Sequence, residues 1–219
     1  MLPTLGDLLP YAVPVALSPL PIIAVVMLLL APAGTRGGIG FLAGRLPALI
    51  VATLAFAALS GLLGDGAGDE EERGWLRIGL GLALIAGGGL IWRKDRKASP
   101  SAEPAGWMRA IDRATPASAL RLGAMLTLVN VKELAFAFGA GLMIGGLGAG
   151  PALLAAAVFA VLAGLGVAVP VLAMLLAGDE ARDSLGGVRD WLVRNQAIAM
   201  AVVLLLIGAM LVGSGIEAL

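Results

Sequence analysis

The chain has 219 residues, of which 59% are hydrophobic and 14% are charged, and its mean hydropathy is +0.97. This apolar excess is well above that of a soluble globular domain and indicates an integral membrane protein. Fifteen basic and fifteen acidic residues balance, which leaves no bulk positive charge for nucleic acid, and the lack of Cys and His excludes thiol redox chemistry and cysteine or histidine metal sites.

Six apolar runs are candidates for transmembrane helices, each of which needs about 20 mostly apolar residues. The first run is interrupted by four prolines and ends at a fifth, Pro32; the second contains Arg45, and the fourth contains Lys132 and Glu133. We therefore predict an all-α polytopic membrane protein with six transmembrane helices. The predicted spans are 8–32, 39–63, 75–92, 122–144, 152–177 and 197–216.

The positively charged loops predict the orientation of the chain in the membrane. Lys and Arg concentrate in the central loop, 93–121, and cytoplasmic loops are enriched in these residues. Placing this loop in the cytoplasm puts both termini on the extracytoplasmic side. Two amphipathic loop segments, 106–115 and 188–195, are predicted to be short helices at headgroup level, serving as simple anchors or, alternatively, as binding sites for anionic lipid.

The long central loop divides the six spans into two units of three. We predict a first three-helix repeat in residues 1–92, a basic cytoplasmic loop with an interfacial helix in 93–121, and a second three-helix repeat in 122–219. Because each unit has an odd number of crossings, duplication would give the two repeats opposite orientations. Inverted repeats of this kind are typical of secondary transporters.

The first helix of the first repeat is interrupted near mid-span by Pro19 and Pro21, which follow Ser18. Proline has no backbone N–H and its ring clashes with the preceding turn, so the carbonyls of Val15 and Leu17 are predicted to lack helical partners. In lipid such carbonyls need other partners, which neighbouring helices, Ser18 or a water-filled cavity would supply. A packed proline kink is the structural alternative.

The first helix of the second repeat carries Asn130, Lys132 and Glu133 near its middle. A charge at the bilayer centre costs about 2.5 to 3.5 kcal/mol on insertion scales, so these side chains are expected to face protein or water. Adjacent helical residues point about 100° apart, so the two charges each need another partner.

We predict Arg45 as the partner of Glu133, and freed carbonyls near Ser18 as partners of Lys132; a purely structural ion pair is the alternative. The predicted substrate or coupling-ion pathway is Ser18, Pro19, Pro21, Arg45, Asn130, Lys132 and Glu133.

Four segments carry a resemblance to a known family. They are PYAVPVALSPLPIIAVVMLLL from Pro10, GTRGGIGFLAGRL from Gly34, WMRAIDRATPASALRLG from Trp107 and NVKELAFAFGAG from Asn130. In this order they resemble the GAP family of peptidoglycolipid and sulfolipid addressing proteins, within the LysE exporter superfamily. The resemblance implies a multi-pass protein of the bacterial inner membrane that exports or addresses envelope glycolipids.

One departure from that family is visible in the second repeat. The usual pattern there is Asn-Pro-Lys-Asn, whereas this chain has Val131 and Glu133 at the second and fourth positions. The proline that would break the helix in that family is therefore missing here, and a carboxylate is gained, while Asn130 and Lys132 match the pattern. A related class of electron carriers needs paired cysteines. Because this chain has no cysteine, that function is excluded.

The leading functional hypothesis is an exporter of a cell-envelope lipid, glycolipid or small amphipathic metabolite. Lys132 would attract an anionic head group, and Glu133 would carry a coupling proton. The alternatives are an amino-acid exporter and a non-transporting accessory protein for lipid export. A lipid exporter should show a lateral opening between helices, and an amino-acid exporter a closed polar pocket.

We do not expect an enzyme. A Ser18–Lys132 nucleophile and base pair is the only catalytic candidate, and a lone serine beside proline more often caps freed backbone groups. No metal or other cofactor is expected. The expected partners are membrane lipids and a lipid or small amphipathic substrate, with a homo-oligomer allowed by faces of small residues and no nucleic acid.

Overall fold

The computed structural model describes residues 5–63, 70–95, 111 and 113–216, and these residues form helices joined by turns. The all-α class is therefore confirmed. The helices are α1 (Leu5–Ala16), α2 (Pro19–Leu30), α3 (Gly34–Leu63), α4 (Glu70–Asp95), α5 (Pro116–Val129), α6 (Val131–Ile144), α7 (Ala149–Arg194) and α8 (Gln196–Ile216). The interfacial helix predicted at 106–115 lies mostly outside the described residues.

Two helices are long and apolar enough to cross a membrane, Gly34–Leu59 within α3 and Ala149–Gly178 within α7. Two further candidates are bent pairs, α1 with α2 and α5 with α6, so the described residues hold up to four spans. The predicted spans 75–92 and 197–216 are helical, within α4 and α8. Six spans and an inverted repeat remain predictions.

The first bent pair has its break at Leu17 and Ser18, as the prolines predicted, and α2 leaves α1 at 59°. Ser18 caps α2 in an extended conformation, with Pro19 at the first helical position, where its missing N–H is not needed. The prediction for Val15 was wrong, because the Ser18 N–H donates to the Val15 carbonyl at 3.2 Å. In a continuous helix the same N–H would donate to Pro14, so the break releases the Pro14 carbonyl instead.

The second bent pair, at 72°, has its break at Asn130 without any proline. The chain has no proline at this position, and the helix is nevertheless broken. Asn130 ends α5 and begins α6 with φ −77° and ψ 97°, and its carbonyl accepts the Leu134 N–H at 3.0 Å. Asparagine is among the residues most favoured at such a cap.

Helix α3 packs closely against α5 and then α6. A Cβ on Gly40 would meet the Pro116 carbonyl, and one on Gly44 would overlap the Leu120 carbonyl, so α3 and α5 run in the same direction. Further along α3, the Thr53 carbonyl lies against Gly141 of α6. Because α5 and α6 advance in one direction along α3, their geometry favours two halves of one broken span over a re-entrant loop.

Helix α5 begins six residues before the predicted span, at Pro116, because Thr115 forms a capping box with Ser118. The Ser118 N–H donates to Thr115 Oγ1 at 3.2 Å, and the Thr115 N–H donates to Ser118 Oγ at 2.8 Å. These two bonds satisfy backbone donors that the end of a helix would otherwise leave unpaired. The central loop is correspondingly shorter than 93–121.

Helix α7 turns sharply at Gly178, where φ is 52° and ψ is −118°, a conformation that only glycine adopts without strain. Residues 179–194, which we call the return segment, then pack against α2. Arg182 Nη2 donates to the Leu30 carbonyl at 2.9 Å, and Leu185 enters the core beside Val25 and Leu29 of α2. The amphipathic helix predicted at 188–195 is thus the end of this longer segment.

The described helices form two compact units. The first contains α1, α2, most of α3, α5, α6 and α7; the second contains α4 and α8. In the second unit, Gly81 lies against Gly208 and Gly88 against the Ala201 carbonyl, which makes α4 and α8 an antiparallel pair. Each unit draws helices from both predicted repeats, and the division into repeats stays a prediction.

Candidate functional site

Arg45 and Glu133 form a buried ion pair within the first unit. Arg45 Nη1 donates to Glu133 Oε2 at 2.8 Å, and the two side chains are 1% and 0% exposed. The same nitrogen donates to Thr127 Oγ1 at 3.1 Å. The predicted pairing of these two charges across the two halves of the chain is therefore confirmed.

Glu133 is also held from its own helix. Asn130 Nδ2 donates to Glu133 Oε1 at 3.2 Å, and Glu133 lies in the first turn of α6, where the helix dipole favours a negative charge. Ser18, at the break in the other half, lies close enough to interact with the Glu133 side chain. Yet Ser18 Oγ is buried and makes no hydrogen bond of ordinary geometry within the part of the chain that the structure describes.

Lys132 links the second half to the break in the first. Its Nζ donates to the Pro14 carbonyl at 3.4 Å, a long bond, and the side chain is partly buried. The prediction that Lys132 reaches a carbonyl freed near Ser18 is confirmed, although the carbonyl is one residue earlier than Val15. We call Ser18, Arg45, Thr127, Asn130, Lys132 and Glu133 the charged cluster.

The charged cluster carries two cations and one carboxylate, so its formal charge is +1. Arg45 Nε, like Ser18 Oγ, is buried and has no hydrogen-bond partner among the described residues. Ser18 and Asn130 are the N-cap residues of α2 and α6, so two helix N-termini adjoin the charged cluster. Helix N-termini attract anions. Buried polar groups are normally paired, so unpaired donors beside a surplus positive charge can receive an anionic group.

Pro19 and Pro21, also among the predicted residues, are buried in the first turn of α2. A proline side chain carries no polar atom, so their contribution is to fix the break. Thr127 was not predicted. Its hydroxyl donates to the Gly123 carbonyl at 2.9 Å while accepting from Arg45, and its only sequence signal is a polar side chain one turn before Asn130 in an apolar run.

Glycines on α3 and α5 allow Arg45 to reach its partners. A Cβ on Gly44 would overlap the Leu120 carbonyl, and a Cβ on Gly123 would overlap the Phe41 carbonyl. Two backbones can approach this closely only where side chains are absent. The resulting contact places Arg45 directly beside the end of α5.

The fold and the charged cluster define a membrane-type helical protein with a polar centre between two broken helices. A model of the family described as Sap, sulfolipid-1-addressing protein, matches residues 8–217, and the chain belongs to this family. The resemblance to addressing proteins is thereby confirmed, while membership of the LysE superfamily stays a prediction. A search of curated proteins found no match. A search of solved structures found none either.

Proposed function

We propose that the protein is a secondary transporter of the bacterial inner membrane that exports an envelope lipid with an anionic head group. The observation that carries the proposal is the meeting of the two helix breaks. Lys132 contacts the Pro14 carbonyl beside the first break, and Arg45 holds Glu133 beside the second. Intramembrane charges that face a protein interior commonly mark transport pathways. Both termini are taken to be extracytoplasmic.

In the proposed mechanism the head group enters the charged cluster from one side of the membrane. In the described residues Lys132 makes one long hydrogen bond, so its ammonium group is available to attract the anion, and the Ser18 hydroxyl donates to the same anion. Protonation of Glu133 would remove the charge that holds Arg45, which frees the guanidinium for the same anion. The half-helices on either side of each break then change their packing and expose the site to the other side.

A lipid is favoured over an amino acid because the first unit has an open, apolar groove, as expected of a lipid exporter. This lateral groove has a volume of about 520 Å³. It lies between α2 and the return segment and is lined by Ile22, Ser184, Gly187, Val188, Trp191 and Leu192. The name of the family, which refers to a sulfolipid, agrees with this choice.

The accessory-protein hypothesis assigns the charged cluster a purely structural role. It is supported by the hydrogen bonds from Arg45 Nη1 to Thr127 and Glu133, which tie α3 to α5 and α6 whether or not anything is transported. The two hypotheses predict different results when Lys132 is replaced. Its long bond to the Pro14 carbonyl contributes little to packing, so a purely structural cluster should tolerate the change, whereas a transporter should lose activity.

Lys132→Ala is expected to lower lipid export about tenfold or more, the effect of losing about 1.4 kcal/mol of stabilisation in the rate-limiting step. The thermal stability should hardly change, since the bond from Lys132 to Pro14 is long and the side chain is partly exposed. The measurement is movement of fluorescent sulfatide, a sulfated glycolipid, between the leaflets of proteoliposomes. Arg121→Ala removes an exposed cation from α5 and serves as the matched control.

A transporter of this kind should also respond to Glu133→Gln and to collapse of the proton gradient. Sulfatide movement that is the same in wild type, Lys132→Ala and Glu133→Gln, with and without the gradient, would reject the proposed mechanism. Failure of the purified wild-type protein to move sulfatide, together with co-purification of a separate transporter, would favour the accessory role.

A further inference from the structure

The lateral groove is apolar over most of its surface. Ile22 of α2 forms one wall, and Val188, Trp191 and Leu192 of the return segment form the other. Gly187 contributes only backbone, and Ser184 supplies the single side-chain hydroxyl. The volume of about 520 Å³ falls within the range of about 300 to 1,000 Å³ that is usual for small-molecule sites.

The groove and the charged cluster occupy consecutive turns of one helix. Ile22 follows Ser18 by four residues, which is about 6 Å along the axis of α2. A polar site and an apolar groove at this spacing match the head group and the beginning of the acyl chain of one amphipathic molecule.

The charges around the groove do not make it an anion site in its own right. Arg182, at the far end, is already bonded to the Leu30 carbonyl. The sequence of the return segment has three basic residues, Arg182, Arg189 and Arg194, and four acidic residues, Asp179, Glu180, Asp183 and Asp190. The groove therefore selects for an apolar chain, and the selection for charge is left to the cluster.

We infer that the lateral groove binds the acyl chain of the transported lipid while the anionic head group of the same molecule lies at the charged cluster. This assignment rests on the proposed function only in taking the occupant to be the substrate. Because the groove is open along one side, an acyl chain can enter it laterally. Filling the groove should therefore weaken binding of any long acyl chain, whereas removing Lys132 should weaken binding of anionic ones alone.

Two adjacent glycines offer a matched pair of variants. Gly186 and Gly187 both have open space where a Cβ would lie, so either accepts a side chain without a clash. Only Gly187 lines the groove. Gly187→Leu should fill the groove, and Gly186→Leu makes the same chemical change on the same helix outside it.

Trp191 provides the reporter within the groove. In the full-length protein with the other three tryptophans (Trp75, Trp92 and Trp107) replaced by phenylalanine, quenching of Trp191 fluorescence by brominated chains measures occupancy. The probes are dibromostearyl sulfate, which is anionic, and dibromostearyl alcohol, which is uncharged. Both are titrated into detergent-solubilised protein carrying the wild-type groove, Gly187→Leu, Gly186→Leu or Lys132→Ala.

Both probes are expected to quench saturably with the wild-type groove and with Gly186→Leu. Gly187→Leu should weaken the apparent affinity for both probes about tenfold, and Lys132→Ala should weaken that for the sulfate alone by a similar factor. Quenching that rises linearly and equally in all four proteins would overturn the inference. So would saturable quenching that Gly187→Leu leaves unchanged, or sulfate binding that does not depend on Lys132.

The quenching titration and the sulfatide assay together distinguish failure of the proposed groove from failure of the proposed transport function. Saturable quenching that depends on Lys132, with no sulfatide movement in proteoliposomes, would keep the groove as a lipid site and reject the transporter. Sulfatide movement with linear quenching would reject the groove and leave the transporter standing.

Discussion

Arg45→Met is expected to lower the stability of the first unit by about 3 to 5 kcal/mol, because it leaves the Glu133 carboxylate buried without its cation. The change also removes the hydrogen bond to Thr127. The expected observation is a clear fall in the thermal unfolding temperature of the detergent-solubilised protein, with reduced accumulation in the membrane. Arg121→Met, which removes an exposed cation from α5, should leave the unfolding temperature nearly unchanged.

The double variant Arg45→Met with Glu133→Leu separates stability from function. Replacing both members of a buried ion pair by apolar side chains of similar size is often neutral or stabilising, so the unfolding temperature should return toward that of wild type. Sulfatide movement should stay lost, because the polar centre is gone. A stable double variant that still moves sulfatide at the wild-type rate would show that the pair is only a packing element.

Gly44→Ala is expected to have the second large effect. A Cβ at this position overlaps the Leu120 carbonyl, and backbone cannot turn aside as a flexible side chain can. Helices α3 and α5 must then separate, at a cost of about 1 to 3 kcal/mol or more. The separation should also pull Arg45 away from Thr127, so that export falls together with stability.

Gly186→Ala is the control for this substitution. It lies in a helix of the same unit with open space around its Cβ position, so it should be neutral or stabilising by about 0.5 to 1 kcal/mol through helix propensity. Thermal unfolding of the two variants under identical detergent conditions gives the comparison. Equal unfolding temperatures for Gly44→Ala and wild type would contradict the close packing of α3 on α5.

The local rules of the sequence were enough to predict the first break and the pairing of the charges. Pro19 and Pro21 lie close together after Ser18, and proline disfavours the interior of a helix, so they predicted the first break. Proline alone does not decide the outcome, because Pro14, Pro47 and Pro170 lie within continuous helices. Glu133 needs a cation, and besides Lys132 the predicted spans contain only Arg45 and Arg77. Arg77 lies within three residues of the start of its span, which left Arg45 as the candidate for the long-range contact that the structure shows.

The second break, by contrast, depends on tertiary context that a single sequence does not reveal. Asn130 is compatible with a helix interior as well as with a cap, and its role is decided by its bond to Glu133, which itself is held by Arg45. The same holds for Gly44, whose importance appears only once the Leu120 carbonyl is placed against it. The sequence predicted the end of the fifth span and a helix at 188–195, but the packing of the return segment on α2 depends on the turn at Gly178 and on tertiary contacts such as the bond from Arg182 to the Leu30 carbonyl.

The most direct test of a substrate pathway through the charged cluster is thiol labelling at Ser18. The chain has no cysteine, so Ser18→Cys introduces the only reactive thiol, at a site that is fully buried in the structure. Thr53→Cys is the control, since Thr53 is equally buried and its hydroxyl donates to the Leu49 carbonyl, outside the charged cluster. With a membrane-impermeant thiol reagent in proteoliposomes, Ser18→Cys is expected to react, more slowly when sulfatide is present, while Thr53→Cys stays unlabelled. Ser18→Cys that remains as unreactive as Thr53→Cys from both sides of the membrane would contradict the account.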